Sequence, residues 1–94
     1  MDIGCGFGRH IEIIANFSKE VIGIDINFEM IEKAKNKLSN FKNVKLFIKD
    51  AQNLDFKKDY FNYVICFTNT FGVFPEIKER VLREMKRVCK KMVK

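Results

Sequence analysis

Within its first ten residues the chain carries Asp2-Ile3-Gly4-Cys5-Gly6-Phe7-Gly8, followed directly by Arg9-His10 and a run of helical periodicity. Three glycines at alternate positions let a backbone turn sharply and lie bare against a ligand. Ile11, Ile14 and Ala15 recur at helical spacing, so the loop opens onto a helix N-terminus. Unpaired N–H groups there favour the negative or oxygen-rich end of a ligand. In a nucleoside-binding unit of this kind a carboxylate is expected about 20 residues further on. Asp25 stands there, directly after the strand-like Glu20-Val21-Ile22-Gly23-Ile24.

Ninety-four residues allow one domain at most, with a modest core. A hydrophobic content of 47% with ten phenylalanines argues for a globular chain, since a disordered one does not carry so much apolar surface. No apolar run reaches the roughly 18 residues that a membrane span needs, and no signal-peptide pattern opens the chain. Cys5, Cys66 and Cys89 are an odd set without CxxC spacing, the pattern of reduced thiols in a cytoplasm. A single histidine argues against a zinc site. The net charge of +6 is unevenly placed: residues 1–77 carry ten basic and ten acidic side chains, whereas residues 78–94 carry eight and two. That segment reads either as a surface for nucleic acid or another acidic partner, or as the solvated face of an amphipathic helix.

Only Met1, Asp2 and Ile3 precede the first glycine, fewer than the five or six or so of an ordinary strand. A helix is expected over residues 9–17, a strand over 21–24 ending at Asp25, and a second helix capped by Asn27. Met30, Ile31, Ala34 and Leu38 form that helix's buried stripe. A strand over 44–48 leads to Lys49-Asp50-Ala51, and residues 52–59 read as loop. Residues 61–67 read as a full strand, nearly all apolar and so buried on both faces. Asn69-Thr70-Phe71-Gly72 make a loop, and Pro75 opens a last helix whose stripe is Ile77, Val81, Leu82, Met85, Val88, Cys89 and Met92. Alternating strand and helix call for an α/β fold, a parallel sheet with right-handed crossovers.

Such sheets bind ligands at the carboxyl ends of their strands. Gly4 to Gly8, Asp25, Asp50-Ala51 and Asn69-Thr70 all fall on that edge. Two carboxylates and a bare loop suit a hydroxyl-rich, amine-bearing nucleoside better than a polyphosphate, for which GxxxxGK[ST] is absent. The dinucleotide pattern GxGxxG also fails, because its third glycine would fall at Arg9 and here it is Gly8.

The segments 2–10, Val21-Ile22-Gly23-Ile24-Asp25, Met30-Ile31-Glu32-Lys33-Ala34, Asp50-Ala51, Phe61-Asn62-Tyr63-Val64-Ile65, Asn69-Thr70-Phe71-Gly72 and 80–88 resemble, in order and spacing, the class I S-adenosylmethionine-dependent methyltransferases. The resemblance covers nearly the whole chain. It implies a Rossmann-like parallel sheet in the order 3-2-1-4, S-adenosylmethionine as cofactor, and methyl transfer, with a small molecule as the expected acceptor. By resemblance, the Gly4, Gly6 and Gly8 backbone supports the methionine part of the cofactor, and Asp2 faces its ammonium, directly or through water. Asp25 matches the acid that takes both ribose hydroxyls, with Ile26 beside the adenine. Asp50 matches the acceptor for the adenine amine, Ala51 N–H donates to the ring, and Asn69 lies beside the methionine moiety and substrate mouth.

Each role has a plainer alternative. Asp25 and Asp50 read alone are loop carboxylates, Asp2 a capping residue for the first helix, and Asn69 ordinary turn chemistry. Arg9 reads as a helix-end cation, and His10 as a helix-start residue packed beside the glycines rather than a general base. Phe67, Phe71 and Phe74 read as core before substrate mouth. A sulfonium already bears a good leaving group, so aligning an acceptor supplies much of the rate. The sequence names no catalytic base.

Three departures from the family pattern stand out. Only Met1 precedes Asp2 where the family has an apolar strand and helices, and Lys90-Lys91-Met92-Val93-Lys94 replaces a Lys-Pro-Gly-Gly turn. Asn62 stands in place of the usual Asp. A stub in that central strand position leaves neighbouring backbone groups unpaired, at roughly 1–3 kcal/mol for each buried one. The expectation is therefore one partial domain over residues 1–94, the cofactor-binding half, needing a partner segment or self-association to complete the sheet. The competing expectations are a non-catalytic cofactor-binding module acting through a partner, and an RNA methyltransferase fragment binding through residues 78–94.

Overall fold

A computed structural model describes residues 1–66 and 75–90. Three parallel strands, β1 (Asp2–Ile3), β2 (Val21–Asp25) and β3 (Val44–Ile48), lie in the order β1-β2-β3. They alternate with α1 (Arg9–Ile14), which tightens into a 3-10 turn over Ala15–Phe17, with α2 (Phe28–Lys37), and with α3 (Pro75–Val88). Asp2 pairs with Gly23 and Ile3 with Ile24, while Val21 to Asp25 pair with Val44 to Ile48 in register.

β2 is the centre of the packing because side chains on a strand alternate between its faces. Ile22 and Ile24 join Met1, Ile3, Leu54, Phe61 and α3's Val81, Met85 and Val88 on one side. Val21 joins Cys5, Ile11, Ala15, Ile31, Ala34 and Leu38 from α1 and α2 on the other. Ile3, Ile11, Ile24 and Ile31 are fully buried, each worth about 1.5–3 kcal/mol relative to exposure. The face of β2 towards α1 can be so close only because Gly23 lacks a Cβ. One built there would meet Ile11 Cδ1, Leu46 Cδ2 at 2.8 Å and Cys5 Sγ at 3.2 Å. The Asn27 side chain accepts from Met30 N at 3.1 Å, so the expected cap of α2 is formed. Of the stripe expected on α2, Ile31, Ala34 and Leu38 are buried, whereas Met30 is half-exposed.

The full strand expected over residues 61–67 is corrected. Within its described part only two isolated bridges form, Asp2 with Ile65 and Phe61 with Cys89. The segment is not buried on both faces either: Phe61 is buried, but Tyr63 is 69% exposed. The cause is the length of β1. With two residues it offers 61–66 a ladder of one bridge, through Ile3 N to Ile65 O and Ile65 N to Met1 O, both 2.9 Å. The backbone of Phe61 turns instead to the end of α3, donating to Val88 O at 2.8 Å and accepting from Lys90 N at 2.7 Å. Ile65 nevertheless sits on the far side of β1 from β2, where the order 3-2-1-4 puts the fourth strand. Phe67 and Met92 lie outside the described residues.

Candidate functional site

The turns that leave the carboxyl ends of β1, β2 and β3 meet around one cavity of about 460 Å³, a size that suits a small-molecule ligand. Gly4, Gly6 and Phe7 line it from the first turn, Asp25, Ile26 and Asn27 from the second, and Asp50, Ala51 and Gln52 from the third. Ile77 and Val81 of α3 close one wall.

The glycine turn has the conformation that its spacing requires. Gly4, Gly6 and Gly8 all have positive φ, at 67°, 56° and 86°. Their surroundings differ. A Cβ on Gly8 would stand 2.6 Å from Leu38 Cδ1, so this glycine serves the packing of α2. A Cβ on Gly6 would meet nothing within 4 Å, so that position is open. Asp25 locks the turn: its Oδ2 accepts from Gly6 N and its Oδ1 from Asn27 N, both at 2.9 Å. A carboxylate has about four acceptor directions, so two stay available for hydroxyls.

Asp2 is the most unusual group. It is 1% exposed, and its Oδ2 has no hydrogen-bond partner. Burial pushes its carboxyl up to about 6 from 3.8, the Met1 ammonium opposing and the Asp25 charge adding to the rise. A buried carboxylate left so incompletely satisfied is costly, and a cationic group beside it would relieve the cost. The neighbouring Cys5 thiol is pushed up to about 12, by burial first and then by the charges of Asp2 and Asp25. It is therefore an inert core thiol rather than a nucleophile.

Asp50 is exposed at the cavity edge, and both its oxygens accept from Gln52, Oδ1 from the backbone N at 2.9 Å and Oδ2 from Nε2 at 3.4 Å. Ala51 is buried, and Ile26 is 70% exposed on the rim, an apolar side chain offered to a ligand. Gly4, Gly6, Asp25, Ile26, Asp50 and Ala51 are thus brought together on one cavity. Asp2 lies one residue before its wall at Ile3, and Gly8 supports it from the α2 side. Asn69, with Phe71, Phe74 and Thr70, lies outside the described residues. His10 is half-buried in the first turn of α1, and Arg9 is exposed there.

Sequence reasoning missed Lys49, Gln52, Met30, Ile77 and Val81 as cavity residues. Gln52 had a signal, two positions after an Asp that makes an Asx turn. Ile77 and Val81 had none, because an apolar stripe does not say which of its members end at a cavity.

A parallel sheet with helices on both faces and a glycine turn clasped by the acid ending the second strand defines a Rossmann-like nucleoside-binding domain. Its orphaned buried carboxylate and open Gly6 fit a nucleoside that also bears a cation. The sequence pattern of the methyltransferase domain matches residues 1–92, and the chain belongs to that family, as an S-adenosylmethionine-dependent, Rossmann-like domain. S-adenosylmethionine is the family's cofactor.

The chain is 37% identical over 91 residues to the uncharacterised protein MJ1252 of Methanocaldococcus jannaschii, covering 96% of this chain and 32% of that protein. It is 33% identical over 89 residues to a carboxy-S-adenosyl-L-methionine synthase of Trichodesmium erythraeum, covering 88% and 34%. Against a demethylmenaquinone methyltransferase of Staphylococcus aureus the identity is 36% over 95 residues, covering 96% and 38%. Among solved structures, the PH0226 protein of Pyrococcus horikoshii superposes with a TM-score of 0.87 at 33% identity, covering 95% of this chain and 42% of that one. The chain therefore spans about a third of the length of these curated relatives. Among the described residues no helix is long and apolar enough to cross a membrane.

Proposed function

We propose that the chain is the cofactor-binding half of a methyltransferase and holds S-adenosylmethionine across the carboxyl ends of its strands, for transfer to a small-molecule acceptor. The observation that carries this reading is Asp2, a buried carboxylate with an unpartnered oxygen beside a bare glycine turn. The cofactor's ammonium supplies the missing partner. The Gly4–Gly6 backbone lies along its methionine part, Asp25 accepts from the ribose hydroxyls with the capacity that Gly6 and Asn27 leave over, Ile26 covers the adenine, and Asp50 accepts from its amine while Ala51 N–H donates. Asn69 is assigned to the methionine end by resemblance alone. When bound, the cofactor supplies an activated methyl group; these residues hold it in place and exclude water from its charged end.

Two relatives similar to this chain over nearly all of its length carry the names of different activities, a carboxy-S-adenosyl-L-methionine synthase and a demethylmenaquinone methyltransferase. That contrast supports a reading in which the acceptor is chosen by segments beyond the cofactor-binding half. A hollow of about 760 Å³ at the amino ends of the strands, between Val21-Ile22 and Phe61 to Tyr63, supports the need for a sheet-completing segment. Phe17 and Tyr63 stand exposed on its walls, and β2 runs two residues past the pairing with β1. An extended, apolar segment parallel to β2 is the occupant that this slot suits. The RNA reading loses part of its basis, because Arg80 and Arg87 of the basic segment reach back to Gln52 and to Leu54 and Phe56.

Titration of the chain with S-adenosylmethionine tests the reading. Binding weaker than micromolar, lost in Asp2→Asn, is expected for the monomer. Micromolar affinity by the monomer would refute the need for a completing segment, and no binding at any accessible concentration would refute the cofactor assignment.

A further inference from the structure

The loop between β3 and the Phe61 bridge carries Asp50 and Ala51, yet it has turns and bends in place of regular structure. Three side chains of α3 hold it. Arg80, Glu84 and Arg87 follow one another by four and three residues, so they share one face of the helix. All three bind this loop. Arg80 Nη1 donates to Gln52 Oε1 at 3.0 Å, and Gln52 in turn donates to both oxygens of Asp50. Glu84 Oε1 accepts from Leu54 N at 2.6 Å, and Arg87 donates to Phe56 O at 2.7 Å and to Leu54 O. Arg87 Nε also donates to Glu84 Oε2 at 2.7 Å, which makes the two side chains one fork. The Arg87 guanidinium holds the Glu84 carboxyl below the usual carboxylate range, so the fork stays charged at neutral pH. A planar guanidinium with several fixed donors is needed for such a fork, which a lysine ammonium does not reproduce.

We propose that Arg80, Glu84 and Arg87 of α3 are positioning residues that aim Asp50 at its ligand, Arg80 through Gln52 and the Glu84–Arg87 fork through the loop backbone. This inference rests on the assignment of Asp50 to the cofactor's base. It makes α3 serve the cavity twice, as its wall through Ile77 and Val81 and as the strap on the loop that carries Asp50. A carboxylate on an unstrapped loop would meet the same amine only after the loop had been ordered, at the expense of affinity.

The test is a pair of double-mutant cycles on the full chain, read as S-adenosylmethionine affinity by NMR titration, which measures weak binding. Arg80→Met, Arg87→Lys and Asp50→Ala are each expected to weaken binding on the order of fivefold, within the range by which contacting residues couple. Combined with Asp50→Ala, each arginine change should weaken binding by less than it does alone, and Arg80→Met should not weaken it further. Combined with Ile26→Ala, in the turn that follows β2, each should multiply. Melting midpoints of the same variants show that each chain is folded at the temperature of the titration, so that the affinity change is read on folded protein. Arginine effects that multiply with Asp50→Ala, or no effect of either arginine change, overturn the inference while leaving the cofactor assignment standing. A wild-type chain that binds no S-adenosylmethionine overturns both. If Arg87→Lys fails to fold, the cycle on the exposed Arg80 decides between these outcomes alone.

Discussion

Replacing Asp2 by Asn separates what this carboxylate costs the fold from what it does for a ligand. In the folded chain its carboxyl titrates at about 6 against 3.8 unfolded. Between those values the native state binds more protons than the unfolded one, so stability falls as pH rises from about 4 through 6. At about 1.4 kcal/mol per pH unit the loss amounts to roughly 3 kcal/mol by pH 7. Asn carries no charge to bury, although its amide must find partners in the same place, which returns about 1 kcal/mol or more of the gain. The slope is therefore a sharper readout than the absolute difference. Urea unfolding from pH 4 to 8 should show Asp2→Asn overtaking the wild type as pH rises, with the difference growing up to about pH 6 and level above it. Cofactor affinity should move the other way. It should rise about tenfold per pH unit below 6 in the wild type, level off above, and be lost in the variant. Parallel stability profiles for the two chains would refute the reasoning, because Asp2 would then titrate normally and have no cause to seek a cation.

Gly6→Ala and Gly8→Ala should divide binding from stability. Both put an L side chain at positive φ, at about 1–2 kcal/mol of backbone strain. Gly8→Ala adds the collision with Leu38 and should lower the urea midpoint more, whereas Gly6→Ala meets open space and should lower cofactor affinity more. Asn27→Ala removes the cap of α2 and should cost about 1 kcal/mol in the same unfolding assay. Asp59 has φ 57° with its N–H on Arg87 O at 2.8 Å, so Asp59→Gly should keep the bond and stabilise the chain by about 1 kcal/mol.

Local periodicity and turn chemistry were enough to read the order of strands and helices, the cap at Asn27, and the carboxylate that ends β2. These are legible because each depends on residues within a turn or two of one another. The strand expected over residues 61–67 does not form in its described part, for the opposite reason. Its residues have strand character, but a strand exists only to the length of its neighbour, and β1 offers two residues. Periodicity likewise put Met30 on a buried stripe without showing that the stripe's edge opens onto the cavity.

By itself, the amino-acid sequence determined an α/β chain with a glycine turn, two later acids on one sheet edge and a family pattern over nearly its whole length. Only the tertiary structure decided that Asp25 clasps Gly6, that Asp2 lies dry with one oxygen unpartnered, and that α3 straps the Asp50 loop. The physical reason is range. Backbone preference and side-chain alternation are local, whereas burial, protonation and cross-chain hydrogen bonds arise between residues tens of positions apart that only packing brings into contact.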